Sequence, residues 1–222
     1  HNWLETKGAL FAVLAVVAVS IGGLVEIIPL YRANNDITPI ATVKPYTPLE
    51  IEGRDIYIRE GCYLCHSQQV RPFRDETERY GPYAKAGEFV YDHPFQWGSK
   101  RIGPDLERVG GKYPNAWHYV HMRNPRDVTP DSIMPTYQWL HENPLDSSDI
   151  QHKMQVLREV GVPYTDEDIK NAPAQLQQQA QQIADSLRQA SISDAQPDRE
   201  IVALIAYLQR LGTDIHWREG TP

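Results

Sequence analysis

At 222 residues the chain is long enough for one medium domain with extensions, and a mean hydropathy of −0.51 marks the bulk of it as water-soluble. Its net charge of −7 argues against nucleic acid as a partner. The front of the chain departs from that average. From Gly8 to Val25 every residue is uncharged and most are Ala, Val, Leu or Ile; with Ile27 to Tyr31 the run spans about 36 Å as a helix. It is too long for the apolar core of a cleaved signal peptide, and Glu26, Pro29, Tyr31 and Arg32 read as the approach to the far membrane interface. Residues 1–33 are therefore expected to be a transmembrane anchor in a lipid bilayer, with Lys7 favouring a cytoplasmic N-terminus. Glu26 is costly in lipid and is expected near headgroups or against a partner subunit, and Gly22-Gly23 offers a small face to a neighbouring helix.

Residues 34–48, with three prolines, read as an extended linker, and 49–222 as the soluble domain. Thr47-Pro48-Leu49-Glu50 has the form of a helix start, cap, proline and returning glutamate; Gly53, Ile56 and Tyr57 share one face of that helix, which ends at Gly61.

Gly61-Cys62-Tyr63-Leu64-Cys65-His66 follows at once. Two cysteines two residues apart with an adjoining histidine form the attachment signature of c-type haem: each sulfur bonds one vinyl group, and His66 ligates the iron. The histidine discriminates, because Cys62 and Cys65 alone would suit a thiol-redox pair or half a zinc site. A zinc knuckle needs further ligands, yet these are the only two cysteines. Covalent haem attachment takes place outside the bacterial cytoplasm, which sets the compartment.

Residues 67–100 are rich in Tyr, Arg, Pro and Gly, too aromatic for disorder, and read as a docking insertion. Within it, Arg71 and Arg74 could pair with haem propionates or with local carboxylates. Asn115 to Asn124 reads as a short helix. A low-spin electron-transfer haem needs a second axial donor, and the chain has three methionines. Met122 sits in the short helix and Met154 at a helical core position, whereas Met134 lies in the proline-bracketed loop Pro130-Asp131-Ser132-Ile133-Met134-Pro135 and is the expected donor, with His118 or His121 as competitors. Further helices are expected between Asp146 and Gly161 and from Thr165; the glutamine-rich stretch 175–189 reads as a solvated helix without chemistry. Ile201, Leu204, Ile205, Leu208 and Leu211 form a final apolar stripe, expected to pack across the first helix of the domain.

Gly61 to His66, Gly103-Pro104-Asp105-Leu106, Ile133-Met134-Pro135 and the terminal apolar helix together resemble the class I cytochrome c domain. That resemblance implies a mainly α fold, a single N-terminal transmembrane helix followed by the cytochrome domain with long loop insertions. It also implies that the Pro104 carbonyl accepts the second N–H of His66. The longer pattern of Lys44-Pro45-Tyr46-Thr47, Glu52-Gly53-Arg54-Asp55, Arg71-Pro72-Phe73-Arg74, Tyr91-Asp92-His93-Pro94-Phe95 and Trp97-Gly98-Ser99-Lys100-Arg101 resembles the mono-haem subunit (FixO, also called CcoO) of cbb3-type cytochrome c oxidase.

The oxidase resemblance implies one covalent haem c in the periplasm of a cell bounded by an inner membrane, taking electrons from a di-haem cytochrome c subunit or a soluble cytochrome. From there they pass to a catalytic haem-copper subunit that reduces oxygen and pumps protons. It further implies a calcium ion near the 98–101 loop, shared with the catalytic subunit, with Ser99 as a contact. Two other functions compete: the cytochrome of another membrane complex such as nitric oxide reductase, and thiol-disulfide exchange at Cys62 and Cys65. The aromatic insertion favours the oxidase.

Overall fold

The computed structural model describes residues 2–98 and 100–215, and the chain divides into two compact units, His1–Ile40 and Ala41–Pro222. Among the described residues it is helical with no β-strand; the one isolated bridge pairs Pro144 with Arg199. In the first unit, helix α1 (Gly8–Asp36) carries a 22-residue span, Gly8–Pro29, with a mean hydropathy of 2.5. Its apolar residues fall on every side rather than in a stripe, the pattern of a helix that meets hydrocarbon all round, and its length fits a transmembrane anchor. The helical backbone runs on through Pro29, where one intrahelical bond is lost.

The second unit is built on two helices in close contact, α2 (Pro48–Arg59) and, near the end of the chain, α7 (Glu200–Arg210). Helix α2 begins at the expected cap: the Thr47 N–H donates to Glu50 Oε2 at 2.8 Å, while the Thr47 hydroxyl donates to Gln179 Oε1 at 2.7 Å and so ties the helix start to a neighbouring helix. The apolar stripe of α7 is buried from Ile201 to Leu208, each Leu or Ile contributing about 1.5–3 kcal/mol by leaving water. Tyr207 is fully enclosed; its ring lies 5.4 Å from Tyr57 and its hydroxyl donates to buried Gln68 at 3.0 Å.

Around this pair lie α4 (Asn115–Arg123), α5 (Ile150–Glu159) and α6 (Asp166–Gln189). Helix α6 differs from the sequence expectation. The glutamines do face solvent, but Ile169, Ala172, Leu176, Ala180, Ala184 and Leu187 recur at helical spacing and are buried against α2 and α7. The segment is a structural layer of the domain; its small alanines hid the stripe that larger residues would have advertised.

Among its described residues the 67–100 insertion has little regular structure beyond α3 (Arg74–Tyr80) and a 3-10 turn at Ala86–Glu88, and buried ion pairs hold it. Buried Glu76 accepts the Arg71 N–H at 2.7 Å and faces Arg101 at 3.4 Å. Arg54 of α2 pairs with Asp92 at 3.3 Å and donates to the carbonyls of His93 and Pro94, fastening the far end of the insertion to the core. Phe95 stacks on Trp97 at 4.6 Å. Arg71 pairs with Glu76, and exposed Arg74 with Glu78 at 2.7 Å.

The tightest constraint is at Gly53. A β-carbon there would sit 2.0 Å from the Ala203 carbonyl oxygen and 2.8 Å from Tyr207 Cβ. Backbone cannot yield as a side-chain tip would. A Gly53→Ala variant is expected to lose about 3 kcal/mol or more of stability, after any gain in helix propensity, measured by denaturant unfolding of the holoprotein. An unchanged midpoint would mean that the helices are not pressed together here.

Candidate haem site

Beside the α2/α7 pair lies a cavity of about 420 Å3. Its apolar floor is Leu204 and Leu208 of α7 and Tyr57 of α2. The chain leaves α2 at Gly61 and folds into a tight turn, with Leu64 N–H donating to Gly61 O at 2.9 Å and His66 N–H to Cys62 O at 2.9 Å. That turn puts Cys62, Cys65 and His66 on the cavity wall together.

The segment Gly103–Leu106 straps this turn from behind. Gly103 N–H donates to Cys65 O at 3.0 Å and Leu106 N–H to Ser67 O at 2.9 Å, while Asp105 caps the Gln69 N–H at 2.9 Å and the Glu107 N–H at 2.9 Å. His66 Nδ1 lies 2.8 Å from the Pro104 carbonyl, which can only accept, so the proton resides on Nδ1 and Nε2 keeps its lone pair. Burial pushes the His66 imidazole below its usual value, against the contrary pull of that hydrogen bond; the neutral ring is the ligating form. A β-carbon on residue 103 would fall 2.2 Å from His66 Cε1, so glycine is what lets the strap lie flat on the ring. Sequence reading marked Pro104 and missed Gly103, although the dipeptide motif contained it.

Another wall comes from α4 and the loop after it. Met134 lines the cavity and packs against the core. The loop is joined to α4 by Tyr137 N–H donating to Met122 O at 2.8 Å. Trp117 stacks on His121 at 4.5 Å and on Tyr113 at 4.1 Å, and burial pushes both His118 and His121 down to about 4, so both are neutral. Of the competing donors, Met122, His118 and His121 share the cavity with Met134, whereas Met154 is buried in the core away from it. Ser99, expected to contact calcium, lies outside the described residues.

These residues fit a covalently held, six-coordinate haem. Cys62 and Cys65 are not joined to each other in a disulfide. Burial pushes the Cys62 thiol up to about 12, a neutral group rather than the thiolate that disulfide exchange or zinc ligation uses. Among the described residues no group of three or more His, Cys, Asp or Glu is placed to hold a bare metal ion.

No curated protein matches the chain. The family profile described as cytochrome C oxidase, mono-heme subunit/FixO matches residues 1–215, nearly the whole sequence. With an apolar N-terminal helix ahead of a helical domain whose cavity gathers the Cys-Cys-His turn, the chain belongs to the FixO family of mono-haem cytochrome c oxidase subunits, proteins of haem-dependent electron transport.

Proposed function

We propose that this chain is the electron-relay subunit of a cbb3-type oxidase. It would take electrons from a di-haem cytochrome c subunit or a soluble cytochrome and pass them to the catalytic haem-copper subunit, with its domain in the periplasm and α1 in the inner membrane. The observation that carries the reading is the meeting of Cys62, Cys65, His66 and Met134 in one apolar cavity of a FixO-family chain. When bound there, haem c supplies a one-electron couple between ferric and ferrous iron.

The chain's own residues do the rest. Cys62 and Cys65 would hold the macrocycle by thioether bonds, so that the group could not dissociate during turnover. His66, fixed in tautomer by Pro104, would be one ligand of the iron, and Met134 would supply a thioether as the other, a donor that favours ferrous iron and raises the potential. With His66 and Met134 both holding the iron, no position would be left for oxygen, and the subunit would transfer electrons without oxygen chemistry of its own. Leu204, Leu208 and Tyr57 exclude water from the cavity floor. Ile102 is 60 % exposed and Ile133 80 %, both at the cavity, apolar area that suits a protein neighbour better than solvent. The aromatic insertion is the second docking element; a calcium ion at Ser99 shared with the catalytic subunit rests on the family resemblance alone.

Two variants test the axial assignments. Met134→Ala is expected to abolish the thioether-to-iron charge-transfer band of the ferric protein and to lower its reduction potential, with the pyridine haemochrome content unchanged; a band that survives would transfer the role to Met122. Gly103→Ala is expected to drive the His66 ring from its seat and convert part of the protein to a high-spin spectrum, because the added carbon has only 2.2 Å to the ring. A wild-type spectrum in that variant would show that the strap does not orient the histidine.

A further inference from the structure

The loop that carries Met134 has little to hold it. Pro130 and Pro135 bracket it and have no N–H to donate, Asp131 and Ile133 are exposed, and the loop's own bonds are local, Ser132 N–H to Thr129 O at 2.9 Å and Met134 N–H to Ser132 Oγ at 3.3 Å. Between Ser132 and Pro135, among the described residues, both hydrogen bonds from a side chain outside the loop come from one residue. Arg126 Nη1 donates to Ser132 O at 3.0 Å and to Met134 O at 3.1 Å, one carbonyl on each side of Ile133. Arg126 is itself set in place by the turn Pro125–Asp127, in which Asn124 Oδ1 accepts the Arg126 N–H at 3.4 Å and Asn124 Nδ2 donates to Asp127 at 2.6 Å. No carboxylate among the described residues forms an ion pair with its guanidinium, so its hydrogen-bonding capacity goes to these carbonyls.

A thioether is a neutral, soft donor and the weaker of the two axial ligands to ferric iron, so whatever fixes the loop decides how often the bond opens. We propose that Arg126 is the positioning residue for the sixth ligand, latching the backbone on either side of Ile133 so that Met134 stays against the iron and resists displacement in the oxidised protein. This rests on the reading of Met134 as that ligand.

The test follows the ferric charge-transfer band of the purified, haem-loaded protein as pH is raised and other donors lose protons and compete for the iron. Without the latch the fraction with an open bond should rise about tenfold, which moves the midpoint for loss of the band down by about one pH unit in Arg126→Ala. Arg123→Ala removes an equal charge from an exposed position of α4 and should leave the midpoint where it is. If Arg126→Ala does not accumulate with haem, Arg126→Gln reads the same quantity and should move the midpoint in the same direction. A wild-type midpoint in the Arg126 variant, or an equal shift in Arg123→Ala, overturns the proposal. Failure of the Met134 assignment shows separately, as a band that persists in Met134→Ala.

Discussion

The contact on which the domain depends is backbone on backbone: Gly53 of α2 lies so close to the Ala203 carbonyl of α7 that no side chain fits between them. Helices usually meet through interdigitated side chains about 8–10 Å apart, and a glycine at the contact is what permits a closer approach. The consequence reaches the site directly. One face of α7 is spent on α2, and Leu204 and Leu208 are left to floor the cavity. The Cys62–His66 turn leaves α2 only a few residues beyond the crossing, so the same contact sets where the sulfurs and the imidazole stand relative to that floor.

The second layer of control is polar and entirely backbone-directed. Pro104 O fixes His66, Asp105 caps two N–H groups of the strap and the turn beneath it, Tyr137 N–H reaches Met122 O, and Arg126 grips Ser132 O and Met134 O. Such contacts orient the donors through the main chain that carries them. Burial keeps His66, His118 and His121 neutral as well, the form in which an imidazole can donate its lone pair.

Much of this was legible in the sequence because covalent chemistry and helical periodicity both leave local marks. The Cys-x-x-Cys-His spacing, the Thr47-Pro48 start, the stripe from Ile201 to Leu211 and the uncharged run after Gly8 each depend on residues near one another in the chain, and the structure places all four as helix or turn at the expected residues. What was not legible depends on distant partners. That Gly103 is needed against the His66 ring, that Arg126 spends itself on carbonyls, and that Arg71 pairs with Glu76 are facts about which surfaces the fold brings together. The buried face of α6 was missed for a different reason: alanine at Ala172, Ala180 and Ala184 packs as tightly as leucine but carries almost no hydropathy signal among glutamines.

The account's central claim is that a single haem is bonded to this chain through Cys62 and Cys65. The most direct measurement is the intact mass of the denatured native protein, followed by peptide mapping. The account predicts one haem added to the polypeptide mass and retained on the peptide containing Gly61 to His66. A chain of unmodified mass, or one whose haem is lost on denaturation, would contradict it.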